Sequence, residues 1–478
     1  MKLYRIVIIA MTASIFIACE DKLDEEVFSE LSPSNLLNTE KGLSFLLNAS
    51  YTYAHRNTNV QASWGAYHMS SMTSGETWGL GGSIENLWVA EIDFTWDSNH
   101  PHFLSVWQVH YNSIRDANLV LDNLDNDNLS EEYKSLTEAE AHFIRGWNYA
   151  ALYNWFGALP LYTSPEDAQL QPRATDEETR AFIEQELTLA VNTLPFEEPQ
   201  FGRASQGTAL AVLCKYYLNT KQWQKAADTA QELMDLGKYE LLDNYGDIFA
   251  YDNEGNQELI WVLPKDGATL TETGQGLNAL TFPPDFPLPF SNNSVFAART
   301  YLFDDFVNSF ETSDVRKDQI ITEWTSTNTG ELVSGLGNDQ SFPYKLPFEP
   351  NSIGAWAGND LPVIRYADIL LSRAEALNEI SGPTQEAIDL INDVRERAGA
   401  TPLTLAGFDK NSLRDAILEE REWEFYWEEK AREDQIRHGV FISRAQARGK
   451  NAQDFHVLFP IPQVELDANP DLEQNPGY

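Results

Sequence analysis

The chain has 478 residues and a formal net charge of -40, from 33 basic against 73 acidic side chains. A surface of that sign repels a phosphodiester backbone and argues against a nucleic acid partner. The length and the 42% apolar fraction suffice for a large core in two or three lobes, and 13 Trp and 19 Tyr make that core rich in rings.

At the N-terminus Lys2 and Arg5 precede an apolar run, IVIIAMTASIFIA, too short to span a bilayer as a mature helix. Cys19 follows it. The pattern resembles a bacterial lipoprotein signal, with residues 1–18 removed, the Cys19 thiol acylated, and residues 19–40 forming a polar tether. Cys214 is then the one remaining cysteine, so the exported chain is expected to hold no intramolecular disulfide.

Residues 41–238 read as helical, with an insertion near 60–100. Gly42 to Tyr53 places Leu43, Leu46 and Leu47 on one side of a helix. The next fifty residues read as loop, with Trp64, Trp78, Trp88 and Trp96 among Gly75, Gly79, Gly81 and Gly82. Phe103, Trp107, Tyr111, Ile114, Asn118 and Leu121 then mark a long helix. In TEAEAHFIRGWNYAALYNWFGALPL, which starts at Thr137, Phe143, Trp147 and Asn154 recur at helical spacing. There Gly146 admits a neighbouring helix, Gly157 caps the end and Pro160 prevents continuation. A helix over Phe182–Leu194 follows, with Asp176 as its expected N-cap, and then two more, one starting at Ser205 and one ending at Gly237. The alternation is similar to degenerate tetratricopeptide repeats.

The helical period fails over residues 239–361, an irregular lobe with a strand-like LIWVL and a proline-rich FPPDFPLPF. Helical pairs return over 362–438, and residues 439–478 read as an extended segment wrapped on the scaffold. The fold class is therefore mainly α, a scaffold of helical pairs with an inserted irregular lobe.

Five stretches carry a family resemblance: FIRGWNYAALYNWFGALPL, RATDEETRAFIEQELTLAVNTLP, FGRASQGTALAVLCKYYLNTKQWQKAADTAQELMDLGKY, LPVIRYADILLSRAEALNEISGPTQEAIDLINDVRERAG and FPIPQVELDANPDLEQNPGY. In this order they resemble the SusD/RagB family of surface lipoproteins that capture nutrients, mostly glycans, for outer-membrane transport. One departure is visible. Where the family tends to carry an acidic residue, then Gly, ahead of an Arg, this chain has Trp427-Glu428-Glu429-Lys430-Ala431-Arg432, so a local change of geometry is expected there.

The resemblance implies a monomeric scaffold of four tetratricopeptide-like pairs at the cell surface. It also implies a lid-like seat over a SusC-like TonB-dependent transporter, with no catalysis and no cofactor. Sugar recognition needs flat rings for the C–H faces of pyranoses, with amides and carboxylates for the hydroxyls. The segments matching the family's ligand regions contain Trp78, Trp88, Trp96 and Asn99, then Trp324, Tyr344 and Trp356. The competing reading is that each ring simply packs in the interior. Trp107, Trp147 and Trp155 lie on periodic helices and are read as structural.

Other chemistry finds little support. In EEREWEFYWEE, Glu420 and Glu424 share a helix face, with Arg421 near enough to pair, whereas glycoside hydrolysis needs carboxylates facing across a cleft. His100 and His102 are close, but Pro101 between them reads as extended chain and no metal motif is present. The acidic run from Asp122 to Asn128 lacks the glycine and terminal glutamate of a calcium loop. The expected function is glycan binding and delivery to the transporter. Peptide capture is the alternative, and a surface glycosidase a more distant one.

Overall fold

The computed structural model describes residues 37–56, 65–267 and 274–478, so Cys19, the leader before it, the tether up to residue 36 and Trp64 lie outside the described residues. The protein is mainly helical, with a few two-stranded sheets. In chain order the N-terminal part holds α1 (Glu40–Arg56), α2 (Ala66–Ser74), β1 (Thr77–Leu80), α3 (Glu85–Asp93), α4 (Pro101–Asp122), α5 (Glu131–Phe156), α6 (Asp176–Thr193), α7 (Gln206–Asn219) and α8 (Trp223–Asp235). The lobe follows with β2 (Leu259–Leu263), β3 (Arg299–Leu302), α9 (Asp304–Ser309), β4 (Ile320–Ile321), β5 (Glu323–Thr325), β6 (Leu332–Ser334), β7 (Phe342–Pro343) and β8 (Leu361–Arg365). Then come α10 (Tyr366–Ser381), α11 (Gln385–Arg397), α12 (Lys410–Phe425), α13 (Ala431–Arg437), α14 (Phe441–Ala447) and α15 (Gln463–Ala468).

The scaffold is a continuous stack. α1 packs on α4, α4 on α5, α5 on α6, α6 on α7, α7 on α8, α8 on α10, and α10 on both α11 and α12. Local chemistry sets the ends of these helices. Ser130 caps α5 by accepting the Tyr133 N–H at 3.4 Å, and Gly157 closes it in the left-handed range (φ 76°) with its N–H on the Tyr153 carbonyl. Gly146 has the expected role: a Cβ there would stand 3.0 Å from Glu186 and Leu187 of α6. Thr175, not Asp176, caps α6. Its hydroxyl accepts the Glu178 N–H at 3.1 Å while the Glu178 carboxylate accepts the Thr175 N–H at 2.9 Å, a reciprocal box that leaves Asp176 as the first helical residue.

Two helices stand where the sequence reads as loop. Every residue of α2 is buried, so it has no polar face to set a period, and α3 is only nine residues long. The C-terminal segment likewise holds the short helices α14 and α15 between extended stretches. It packs on the scaffold through Phe459, whose ring stacks 4.5 Å from Phe103 and 5.4 Å from Trp155. Asn475 fastens the end by donating to the Phe156 and Phe459 carbonyls at 2.9 and 2.7 Å.

The lobe leaves and rejoins the scaffold through one antiparallel pair, β2 with β8. Trp261 of β2 packs edge-on against Trp147 at 4.3 Å and Phe143 at 5.0 Å, so the ring face of α5 seats the base of the lobe. A second pair, β1 with β3, sets Trp78 opposite Tyr301 and ties the glycine-rich segment to the lobe.

Beneath the lobe lies a buried ionic network. Glu424 accepts from Arg316 at 3.1 Å, Arg365 at 2.9 Å and Arg397 at 2.5 Å. Glu420 binds Arg316 and Arg395, both at 2.6 Å, while Glu258 of the lobe binds Arg365 at 2.6 Å and Arg397 at 2.9 Å. Glu428 completes it with Arg365 and Lys345. The pairing expected from helical spacing is corrected: Arg421 bonds Asp368 and Asp434, each at 2.8 Å, rather than Glu424. Glu420 and Glu424 of α12 are thus engaged internally with arginines.

Candidate functional site

The residues singled out for ligand contact separate into groups. Trp88 is fully buried, its ring 5.0 Å from His68 in a stacked arrangement, and a Cβ on Gly79 would stand 2.4 Å from it. Trp96 is 6% exposed and faces the C-terminal tail, donating its Nε1–H to the Tyr478 hydroxyl at 3.0 Å. Asn99 is exposed in the turn before α4, where its N–H bonds the Asp97 carboxylate at 2.8 Å. These three stand on the scaffold, apart from the lobe's ring cluster.

Trp78, Trp324 and Tyr344 share one aromatic cluster. Its interior is Phe282, Tyr301, Trp324, Phe342 and Phe348, and Trp324 is 8% exposed. Trp78 and Tyr344 are half-buried at its margin, beside Phe286, Leu288 and Phe290 from the proline-rich run. Trp78 lies 4.9 Å from Tyr301 and donates its Nε1–H to the Asp339 carbonyl at 2.7 Å, which fixes the ring's orientation. Tyr344 is set 5.7 Å from Phe282, its hydroxyl accepting the Phe348 N–H at 3.4 Å.

Trp356 is half-buried and meets Phe296 edge-on at 6.3 Å; Phe296 is 37% exposed, and Ile353 beside them 40%. The two ring groups lie in separate packing clusters, the Trp78 group in the lobe's own and Trp356 against that of the scaffold. After Trp78 the chain turns through Gly81 and Gly82 (φ 84° and 71°), which lie against Ala297 and Ala298 so closely that a Cβ on Gly81 would come within 2.8 Å of the Ala297 carbonyl. That contact delivers Phe296 toward Trp356. Sequence reading missed Phe286, Phe290 and Phe296; for the first two the alternation of Phe and Pro in FPPDFPLPF was the signal available, since proline stiffens the backbone and leaves rings on its flanks.

A cavity of about 420 Å³ lies elsewhere, inside the scaffold between α5, α7 and α13. Trp147, Tyr153, Tyr216, Lys215, Glu429 and Glu433 are among its walls, and none of the candidate ligand residues, Trp78, Trp88, Trp96, Asn99, Trp324, Tyr344 and Trp356, lines it. Glu429 stands where the resembling pattern places glycine and keeps the left-handed backbone, φ 65°, as does Trp427 at 60°. Both residues thus hold a left-handed backbone without glycine. Tyr67 and His68 brace it, their rings 6.2 and 5.5 Å from Trp427. A side chain in this conformation costs about 1–2 kcal/mol. Glu429→Gly should accordingly raise stability by about 1 kcal/mol after glycine's own entropy is counted, read as a higher urea midpoint at unchanged slope.

Burial pushes the Glu76 and Glu429 carboxyls up to about 8, and burial together with the charge of Glu254 pushes Asp360 to about 7. Unfolded carboxyls titrate near 4, so between about pH 4 and 8 the folded chain holds protons that the unfolded chain has released. Stability from these groups is complete below the unfolded value and is lost as pH rises through the folded ones. The melting temperature should therefore be higher at pH 6 than at pH 8.5, and Glu76→Gln should flatten that slope.

Comparison with known proteins places this architecture. Residues 349–478 match the family described as "SusD family", and residues 23–218 match "Starch-binding associating with outer membrane". The chain belongs to the SusD/RagB family. It is 29% identical to SusD-like protein P25 of Formosa agariphila, with both chains covered fully. Its fold is shared with a laminarin binding SusD-like protein at a TM-score of 0.78 and 24% identity, over 92% of this chain and all of that one. It is shared too with surface glycan-binding protein A of Bacteroides thetaiotaomicron in complex with laminarihexaose, at a TM-score of 0.79 and 21% identity, over 92% of this chain and all of that one. SusD-like neighbours have the tetratricopeptide-like helical fold, as the stack of helices here has.

Proposed function

We propose that this protein binds an oligosaccharide or polysaccharide at the cell surface on the part-exposed rings of its lobe and of the β1 segment paired to it, and passes it to a SusC-like TonB-dependent transporter. It is held at the outer membrane by a lipid on Cys19 and performs no chemistry itself. The observation that carries this reading is the set of part-exposed rings, Tyr344, Trp356 and Phe296 on the lobe and Trp78 on the β1 segment paired to it, two of them fixed by hydrogen bonds and ring neighbours. Pre-set rings stack on pyranose faces without an ordering cost. Starch and laminarin binding among relatives supports the same class of cargo. A charge of -40 fits neutral better than acidic polysaccharide.

The test is calorimetric titration of soluble chain begun after Cys19 with laminarihexaose, maltoheptaose, an anionic oligosaccharide and a peptide digest. Saturable heat with one sugar class, weakened about tenfold by Trp356→Ala or Trp78→Ala, is the expected result; tenfold corresponds to about 1.4 kcal/mol. Heat with the digest alone would favour peptide capture. The transporter is tested separately, by co-purification of a barrel protein from detergent-solubilised outer membranes.

A further inference from the structure

A buried cluster on the scaffold has a chemistry that glycan binding does not use. Glu91 from α3 and His102 from the first turn of α4 are fully buried, and His100 just before α4 is 6% exposed. Pro101 is the first residue of α4 and His100 precedes it with extended backbone, so the helix turn brings the two imidazoles together edge-on, 4.8 Å between centroids. One donor atom from each of the three side chains lies within 4.8 Å of the others.

The hydrogen bonding is incomplete in a directed way. His102 Nδ1 and Glu91 Oε1 share a proton at 2.5 Å, while Glu91 Oε2 has no partner among the described residues. His100 Nε2–H donates to the Leu87 carbonyl at 3.3 Å, which leaves the lone pair on Nδ1, and Nδ1 also has no partner there. An imidazole pinned by a backbone carbonyl through one nitrogen, with the other aimed inward, is how metal-ligating histidines are commonly held. A wholly buried carboxylate satisfied at one oxygen is costly unless a cation completes it.

We propose that Glu91, His100 and His102 bind a zinc-class divalent ion that fastens α3 to the start of α4. Two imidazoles and one carboxylate form a recurrent zinc donor set. Loading moves the proton between His102 Nδ1 and Glu91 onto His102 Nε2, so the imidazole stays neutral, while bonds form from the ion to one nitrogen of each histidine and to the carboxylate. The His102–Glu91 pair must open from 2.5 Å to roughly 3.3 Å, the donor spacing set by tetrahedral bonds of about 2.0–2.2 Å. Three protein donors leave the fourth position to a water enclosed with the ion, and the burial of all three side chains makes the role structural. It steadies the segment between Trp78 and Asn99.

The test is metal analysis of soluble full-length chain begun after Cys19, loaded with zinc and dialysed, with the cobalt-substituted spectrum and thermal melts with and without chelator. One equivalent of zinc, a four-coordinate cobalt spectrum and a melting temperature raised by several degrees are expected. His100→Ala and Glu91→Gln should abolish all three. Failure of the wild-type chain to retain zinc or give the cobalt spectrum overturns the site, whatever the variants do, and leaves Glu91–His102 as a plain buried pair. Retention undiminished in His100→Ala overturns it as well, by placing the metal elsewhere.

Discussion

Replacing Glu424 by Ala is expected to destabilise the protein by about 3–5 kcal/mol, the cost of leaving buried charges uncompensated. Burial alone would raise this carboxyl, but Arg397, Arg365 and Arg316 hold it well below the ordinary range. Removing it strands three guanidinium groups, two of which also bind Glu258 of the lobe. The loss should be read in urea denaturation, and hydrogen exchange should locate it at β2 and β8. Arg115→Ala is the contrast. Arg115 pairs with Asp116 from a side chain 57% exposed, and such pairs contribute below about 1 kcal/mol. Because the Glu424 carboxyl is depressed, its stabilisation is present above the unfolded carboxyl value and fades as pH falls through the folded one. Set against the raised carboxyls of Glu76, Glu429 and Asp360, this places maximal stability at mildly acidic pH.

Phe459→Ala should cost a comparable 3–5 kcal/mol, the range for deleting a buried phenyl ring. Phe459 is fully buried, and besides Phe103 and Trp155 it meets Trp96 edge-on at 5.3 Å. It also covers the buried guanidinium of Arg432, which lies 4.4 Å above its ring and has further ring neighbours in Trp155 and Phe441. Burial pushes Arg432 down to about 9, so the rings and the Val457 carbonyl at 2.8 Å are what keep a charged group tolerable there. Loss of Phe459 therefore removes packing and a cation's cushion at once. Limited proteolysis should cut the variant near the C-terminal segment while α5 stays protected; even digestion along the whole chain would contradict this account.

The helical scaffold was legible because its signals are local. α5 announces itself by ring spacing and by Gly157 and Pro160, and Gly146 by the company of large side chains. The helix α2 was not legible, since a helix buried all round gives no period. The ring platforms were legible only as a composition. Trp78 and Trp88 both sit among glycines, yet Gly79 makes room for the Trp88 ring inside, whereas Gly81 and Gly82 bring the Trp78 segment against Ala297 and Ala298. What separates the two tryptophans is the pairing of β1 with β3, more than two hundred residues away, which no local window contains. The partners of Glu420 and Glu424 were hidden for the same reason: three of their arginines come from the lobe, β8 and α11.

The pairing of β2 with β8 brings the two ends of the lobe to within about 5 Å, one interstrand spacing. Chain between such ends can lengthen or shorten at small entropic cost, since closure depends only logarithmically on length. By itself this would make the lobe a cassette, free to diverge while the helical stack stays fixed. The β1–β3 pair removes that freedom, because residues 77–80 must match whatever lobe is installed. A graft that exchanges residues 264–360 alone should fold with an open edge at β1, and one that also carries residues 77–82 should restore it. New surfaces on this scaffold are therefore inherited in two pieces.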